Sequence, residues 1–468
     1  MKNLPFVRHF RSRFAASAML AACGGFVGQA AFGDESPGGH AVGAARIVRV
    51  ITIPDVALGG GVRLGGLSDL AAATGTAATP TFWTLTDRGP NGSAKVGGRD
   101  LRTITAPAFI PTIVRLELPA VRKEHAAAVV GTIPLASRDG RPLSGRPPPG
   151  LADDPIVDPQ ARTAVAADPH GIDSEGLVAM PDGTFWIAEE YGPSLLHVSA
   201  EGRVMERFFP VGAVPANAGA EARDTLPAEY AQRRENRGFE ALAAAPCGRV
   251  FALLQSPLDH PRPKAAEKTG NVRLLVFDPA AGRPAAEHVY RLGDPEDSEY
   301  LTRGAPPEDG KLCAIAAIAD DLLLVLEQAD GGLARLYAAA LDGATDTLGT
   351  SGADGTDRKA LEQVRDLTAA GIAPVRKRLV ADLGGLLREI EAAVYDGPAP
   401  DGKRRQLKLE GLAILDDRTI AIVNDNDFGV HVRDGAAAPR SCLFVIKLPT
   451  PLPGGVAVVP RPAQNAGE

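Results

Sequence analysis

Two segments of this chain are copies of one another. Phe82-Trp83-Thr84-Leu85-Thr86-Asp87-Arg88-Gly89-Pro90 and Phe185-Trp186-Ile187-Ala188-Glu189-Glu190-Tyr191-Gly192-Pro193 share one pattern at an offset of 103 residues. An internal repeat of this kind points to a fold built from repeated units. Each copy follows a stretch opened by Gly-Leu, at Gly66-Leu67 and Gly176-Leu177. Weaker copies come later. Arg237-Gly238-Phe239-Glu240-Ala241-Leu242 leads to Val250–Leu254, and Ala316–Ile318 leads to Leu322–Leu326 and Glu327. Glu410-Gly411-Leu412 leads to Thr419–Val423 and Asn424-Asp425-Asn426-Asp427. Every copy is a short apolar strand, a tight polar turn, and a second apolar strand ending in polar residues. That is the signature of a β-hairpin.

Two further strands follow the second copy, at Leu196–Val198 and Val204–Phe209. Four antiparallel strands per repeat describe a propeller blade. The 52 Gly and 39 Pro favour short strands and turns, and 45% apolar residues suffice for a large core. The fold class is therefore all-β, a β-propeller. Five copies plus unassigned strands between 103 and 135 predict six blades, with five or seven also compatible. Residues 136–170 read as a long loop. Residues 357–393 read as a short helical insertion, from Leu361, Val364, Leu367 and Ala370 at threes and Leu386, Ile390 and Val394 at fours. The strand Cys442–Leu448 is expected to pair with the N-terminal strand Arg46–Ile53 and close the ring, which removes free sheet edges.

The chain is expected to be exported. A basic stretch to Arg13 precedes an apolar run over Phe14–Ala22 that is too short to span a bilayer. Residues 1–33 read as a signal peptide, 34–45 as a flexible leader, 46–450 as the propeller and 451–468 as a tail. Leu20-Ala21-Ala22-Cys23 fits a lipobox, with lipidation at Cys23; cleavage near Ala30 or Gly33 is the alternative. Periplasmic, lipid-anchored and secreted locations all remain open, and the lipid at Cys23 is the sole expected membrane contact. Net charge is −7, and loss of the first 23 residues leaves 46 bases against 57 acids. No basic run suits nucleic acid. Cys247, Cys313 and Cys442 leave room for one disulfide or for buried thiols. A monomer is expected.

The hairpin rule also locates chemistry. The residue before the inner strand and the residue after the next strand lie at the same end of a blade. Asp69 then lies with Asp87 and Arg88, Asp173 and Glu175 share a face with Glu189 and Glu190, Arg237 and Glu240 with Gln255, and Glu410 with Asn424, Asp425 and Asp427; Glu327 falls there too. Crowded carboxylates raise one another's pKa or recruit a cation. Oxygen donors of this type suit Ca²⁺ or Mg²⁺. The candidate metal residues are Glu175, Glu189, Glu190, Glu240, Glu410, Asp425 and Asp427, with Ca²⁺ as the expected ion. Alternatively, the same acids stitch blades together through backbone N–H groups. Arg88 and Arg237 are candidates to hold an anion, because the guanidinium offers a planar fork. Trp83 and Trp186 are expected to pack between blades. Ser174 has no nucleophile elbow around it. His170 and His431 read as ordinary.

Several segments together resemble the bacterial phytase-like family, described as having esterase-like activity of phytase. They are Asp173-Ser174-Glu175-Gly176-Leu177, Phe185 to Pro193, Arg237-Gly238-Phe239-Glu240, Gln255-Ser256-Pro257-Leu258, and Lys408-Leu409-Glu410-Gly411-Leu412 through Asn424 to Gly429. The resemblance spans roughly residues 60 to 450. It implies an exported propeller that hydrolyses a small phosphorylated substrate, with calcium. Catalysis would then fall to Glu175, Glu190, Arg88 and Arg237. The chain departs from the pattern at Gly65-Gly66-Leu67 and at Cys313-Ala314-Ile315-Ala316, which carry no leading acid, and at Ala241, which replaces glycine. Two other readings stay open: a non-catalytic binding propeller of the cell envelope, and a lactonase-type propeller with a central metal.

Overall fold

The computed structural model describes residues 44–73, 80–96, 98–120, 124–150, 158, 164–264, 269–293, 310–329, 332–349, 360–398, 405–430 and 438–454. The expected signal peptide, the lipobox at Cys23, His431 and most of the tail lie outside them.

Five sheets form five blades. Blade 1 contains β4 (Leu67–Ala72), β5 (Thr81–Thr86), β8 (Thr112–Glu117) and β9 (Ala128–Pro134). Small hairpins precede and interrupt it: β2 (Ala57–Gly59) with β3 (Val62–Arg63), and β6 (Asn91–Val96) with β7 (Arg99–Ile104). Blade 2 contains β10 (Ser174–Ala179), β11 (Phe185–Glu189), β12 (Ser194–Val198), β13 (Val204–Pro210) and β14 (Ala222–Leu226). Blade 3 contains β15 (Phe239–Ala244), β16 (Val250–Leu254), β17 (Asn271–Asp278) and β18 (Arg283–Arg291). Blade 4 contains β19 (Lys311–Ala319), β20 (Leu322–Ala329), β21 (Leu333–Ala340) and β22 (Arg376–Asp382). Blade 5 contains β23 (Lys408–Asp416), β24 (Thr419–Asp425), β25 (Cys442–Lys447) and, as its outer strand, β1 (Arg46–Thr52). The antiparallel pairing of β1 with β25 closes the ring as expected.

The sixth blade is absent from the described residues. The strands between 103 and 135 that suggested it are β8 and β9, the outer half of blade 1. The short helical insertion is present, but it is narrower than the 357–393 reading. Among the described residues of this stretch the short helix is α1 (Leu387–Val394), and Arg376–Asp382 is the outer strand of blade 4. Leu361, Val364 and Leu367 do bury together, against Val289 of blade 3. Apolar residues at threes satisfied that contact through a one-turn 3₁₀ segment and tight turns, and Gly371 at positive φ ends the run.

Blades bury both faces against their neighbours, so middle strands are apolar throughout; all five residues of β16 are buried. The tryptophans seal two of these seams. Trp83 meets Phe185 edge-on at 5.1 Å, and Trp186 contacts Phe277 of blade 3 at 5.4 Å.

The five inner strands β4, β10, β15, β19 and β23 contact one another in a closed circle. Each carries a register slip at the same place. The extra residue is Ser68, Glu175, Glu240, Cys313 or Glu410 in blades 1 to 5. A bulge re-aims one side chain while the ladder continues on either side. Five bulges thus create one ring of equivalent positions. The next residue sits where neighbouring inner strands nearly touch. A Cβ on Gly176 would lie 2.8 Å from Leu242 N, and one on Gly411 would lie 2.6 Å from Asp69 C. The register also moves the first repeat by three residues. Ser68-Asp69-Leu70, not Gly65-Gly66-Leu67, is the counterpart of Glu175-Gly176-Leu177.

Candidate metal centre

Blade 2 gathers three acids at one end of its inner hairpin. Asp173 stands just before β10, Glu175 is the bulge residue, and Glu190 follows β11. The Glu190 N–H donates to the Asp173 carbonyl at 2.9 Å, which fixes the two chain ends side by side. One carboxylate oxygen from each acid lies within 4.8 Å of the others, and all three residues are buried. Oε1 of Glu190 and Oε2 of nearby Glu240 are buried without a hydrogen-bond partner. Buried polar atoms are nearly always paired, so these oxygens mark a place prepared for something else.

The charges reinforce this. Burial holds the Glu175 carboxyl well above the usual range, and repulsion from Asp173, Glu240, Glu190 and Glu410 adds to it. Burial, then Glu240 and Asp173, push Glu190 up to about 8, against the pull of Arg88. Burial raises Glu240 to about 7, opposed chiefly by a 2.5 Å hydrogen bond from Gln255 Nε2. The group therefore holds protons near neutral pH unless a cation replaces them. All its donors are hard carboxylate oxygens, which fit Ca²⁺ or Mg²⁺.

Arg88 is the counter-charge. Its Nη1 lies 2.6 Å from Asp173 Oδ2 and its Nη2 4.0 Å from Glu190 Oε2. The segment between blades 1 and 2 presses it into place. A Cβ on Gly145 would fall 1.6 Å from the Arg88 carbonyl, so only glycine allows that approach. The hydroxyl of Tyr191 donates to the Gly145 carbonyl at 2.7 Å, and the guanidinium lies 5.5 Å from the centre of the Tyr191 ring. The loop expected over 136–170 thus buttresses the arginine.

The remaining predicted residues divide. Glu189 leaves the metal group. It accepts from Tyr191 N, Gly192 N, Asp173 N and Ser194 Oγ, and pairs with Arg207 at 3.2 Å. Adjacent residues at a strand end point to opposite sides, so Glu190 enters the centre and Glu189 ties the blade together. Glu327, its counterpart in blade 4, is tied in the same way by Lys377 at 2.5 Å and the Tyr290 hydroxyl. Asp425 and Asp427 also lie apart from the three-acid group, both ion-paired to Lys408. Glu410 occupies the ring position of blade 5, where burial and Asp425 raise its pKa well above normal. Arg237 Nη1 reaches the Gly310 carbonyl of the next blade at 3.4 Å, while Arg88 pairs with Asp173 and Glu190. Ser174 Oγ donates to the Thr86 carbonyl at 2.7 Å, a bond between blades 1 and 2. Cys313 and Cys442 are buried free thiols, and Cys247 is exposed.

The hairpin rule places Asp173 on this face but outside the candidate metal residues, and Lys408 is not among the candidates at all. Both sit two residues before the bulge acid, and that shared spacing is the signal that finds them. Asp69 performs the stitching role: its carboxylate accepts from Leu177 N in blade 2 at 2.7 Å and from Leu70 N at 2.7 Å.

A family model described as "Phytase-like: Esterase-like activity of phytase" matches residues 62–428. An uncharacterized secreted protein of Arthroderma benhamiae is 27% identical over 244 residues, which cover 44% of this chain and 46% of that relative. The chain thus spans about half the length of the curated relative it matches. Among solved structures, a PQQ-bound aldose sugar dehydrogenase from Streptomyces coelicolor aligns over 86% of this chain and 98% of its own at 11% identity, TM-score 0.34. A putative glucose dehydrogenase from Thermus thermophilus aligns over 85% and 99% at 14% identity, TM-score 0.31. Similarity at this level carries no chemistry across.

Proposed function

The chain belongs to the phytase-like family (esterase-like activity of phytase), and from that premise we propose that it is an exported, metal-dependent hydrolase of phosphate esters. The observation that carries this reading is the buried trio Asp173, Glu175 and Glu190, with ligand atoms within 4.8 Å and a carboxylate oxygen left unpartnered. Such a group is unfavourable unless a cation is close. Export is supported by the N-terminal pattern and by the secreted relative. Among the described residues no helix is long and apolar enough to cross a membrane.

Asp173, Glu175 and Glu190 would hold the ion, with calcium preferred for its tolerance of carboxylate-rich sites. When bound, a divalent cation supplies positive charge to the phosphoryl group and activates water. The protein's own residues do the rest. Arg88, held between Asp173 and Tyr191, orients the phosphate through its planar fork. Glu240, with a pKa of about 7, takes or returns a proton near neutral pH. Water is restricted because the acids are buried.

The test is phosphate release from phytate and from simple aryl phosphates. Chelator-treated protein is assayed with no metal, with calcium and with magnesium. Release that depends on a divalent ion supports the reading. No release under any of the three conditions overturns it.

A further inference from the structure

The five blades can be compared position by position, because the same backbone contacts recur. In blade 2 the three acids occupy the residue two before the bulge, the bulge, and the residue after the second strand. In blade 5 these places are held by Lys408, Glu410 and Asp425. The Asp173–Glu190 backbone contact has its counterpart in the pairing of Lys408 with Asp425. Blades 1, 3 and 4 supply one acid at most at the three places. Blade 5 therefore differs from the three-acid arrangement by a single residue, and that residue is a cation.

Lys408 is used as one. Its Nζ lies 2.9 Å from Asp425 Oδ2 and also bonds Asp427 Oδ1. Glu410 feels the same ammonium. The neighbouring turn is shaped to bring these acids in. Asp427 and Phe428 both adopt positive φ, a conformation unfavourable for residues other than glycine. The Asp427 N–H donates to Asp425 Oδ1 at 2.6 Å, and the Phe428 ring fills the space above Gly66, where a Cβ would meet it at 2.1 Å.

We propose that Lys408 is a resident cation, standing where blade 5 would otherwise take a second divalent ion, so that the propeller binds one ion and binds it in blade 2. This rests on the metal reading of the blade 2 trio. The lysine does not merely pair with surface acids. It converts one of two equivalent acidic corners into a closed, self-neutralised one, and it fixes where on the ring an external ion can sit.

The experiment is calcium titration by calorimetry of the chelator-stripped, full exported chain. Wild type is compared with Lys408→Asp, which rebuilds the blade 2 arrangement in blade 5, and with Lys408→Gln, which removes only the charge. Wild type is expected to take one equivalent and Lys408→Asp two; Lys408→Gln should take a weaker second equivalent. Thermal melting guards against misfolding: the variants should melt below wild type in chelator and regain the loss in calcium, since an ion that binds only the folded state stabilises it. One equivalent in all three proteins, with no recovery by calcium, overturns the proposal. Two equivalents in wild type also overturn it. No binding by wild type with one equivalent in Lys408→Asp upholds the role of Lys408 and overturns the metal reading of blade 2. No binding by any of the three overturns both.

Discussion

Replacing Glu190 by glutamine should stabilise the metal-free protein, and only above a certain pH. Burial, and then repulsion from Glu240 and Asp173, push the Glu190 carboxyl from 4.5 to about 8. An acid whose pKa is raised in the fold binds more protons folded than unfolded between those two values. Its contribution is therefore favourable at low pH and is lost as pH rises from 4.5 through about 8. Taken alone, such a shift corresponds to on the order of 5 kcal/mol once the group is ionised. The neighbours share the protons, and Arg88 loses a 4.0 Å contact in the variant, so about 2 to 3 kcal/mol is the expected gain for Glu190→Gln at pH 8.5. For a chain of this size that is roughly a 3 °C rise in Tm. At pH 5 the wild-type carboxyl already carries its proton, and the gain should vanish. The assay is thermal melting of both proteins in chelator at the two pH values. Saturating calcium should reverse the order at pH 8.5, because the variant has lost a ligand. Equal destabilisation of the variant at both pH values would refute the crowding argument.

Three further perturbations probe other contacts. Arg88→Met removes the partner of buried Asp173 at 2.6 Å; a loss of about 3 to 5 kcal/mol is expected by chemical denaturation, with weaker binding of inorganic phosphate by calorimetry. Arg273→Leu leaves Glu229, Glu287 and Glu362 facing one another without the guanidinium that contacts all three; a similar loss is expected, and hydrogen exchange should show the segment around Leu361–Gln363 released from blade 3. Gly411→Val places side-chain atoms against the Asp69 backbone and should cost about 1 to 3 kcal/mol by overpacking, read as a lower denaturation midpoint.

The sequence carried the architecture in its hairpin rule. Alternation within each copy identified inner and second strands, and the position before Gly-Leu located Glu175 and Glu410 on the ring. Ala241 kept Glu240 in place without the glycine. What failed was finer than the pattern. Gly65-Gly66-Leu67 carries the Gly-Leu pair of the repeat, yet the strand register makes Ser68-Asp69-Leu70 the counterpart of Glu175-Gly176-Leu177. A one-residue step separates Glu189 from Glu190, and the pleat sends them to opposite tasks; no composition signal tells them apart. Leu361, Val364 and Leu367 have helical spacing because they pack on one neighbour, yet 3₁₀ and turn geometry satisfies that spacing too. The outer strands β8 and β9 look like a separate blade because a hairpin, β6 with β7, interrupts their own. Asp173 was legible from the hairpin rule, but its equivalence to Lys408 was not, since their chemistry is opposite and only the register gives them the same position.

On the proposed reading, Asp173, Glu175 and Glu190 hold a divalent cation. A crystal structure grown with calcium, or with a lanthanide in its place for anomalous signal, tests it most directly. One strong peak is expected about 2.3 to 2.6 Å from carboxylate oxygens of these three residues, with Lys408 still bonded to Asp425 and Asp427. A propeller with no peak at the trio, or with the ion seated beside Glu410 and Asp425 in its place, would contradict it.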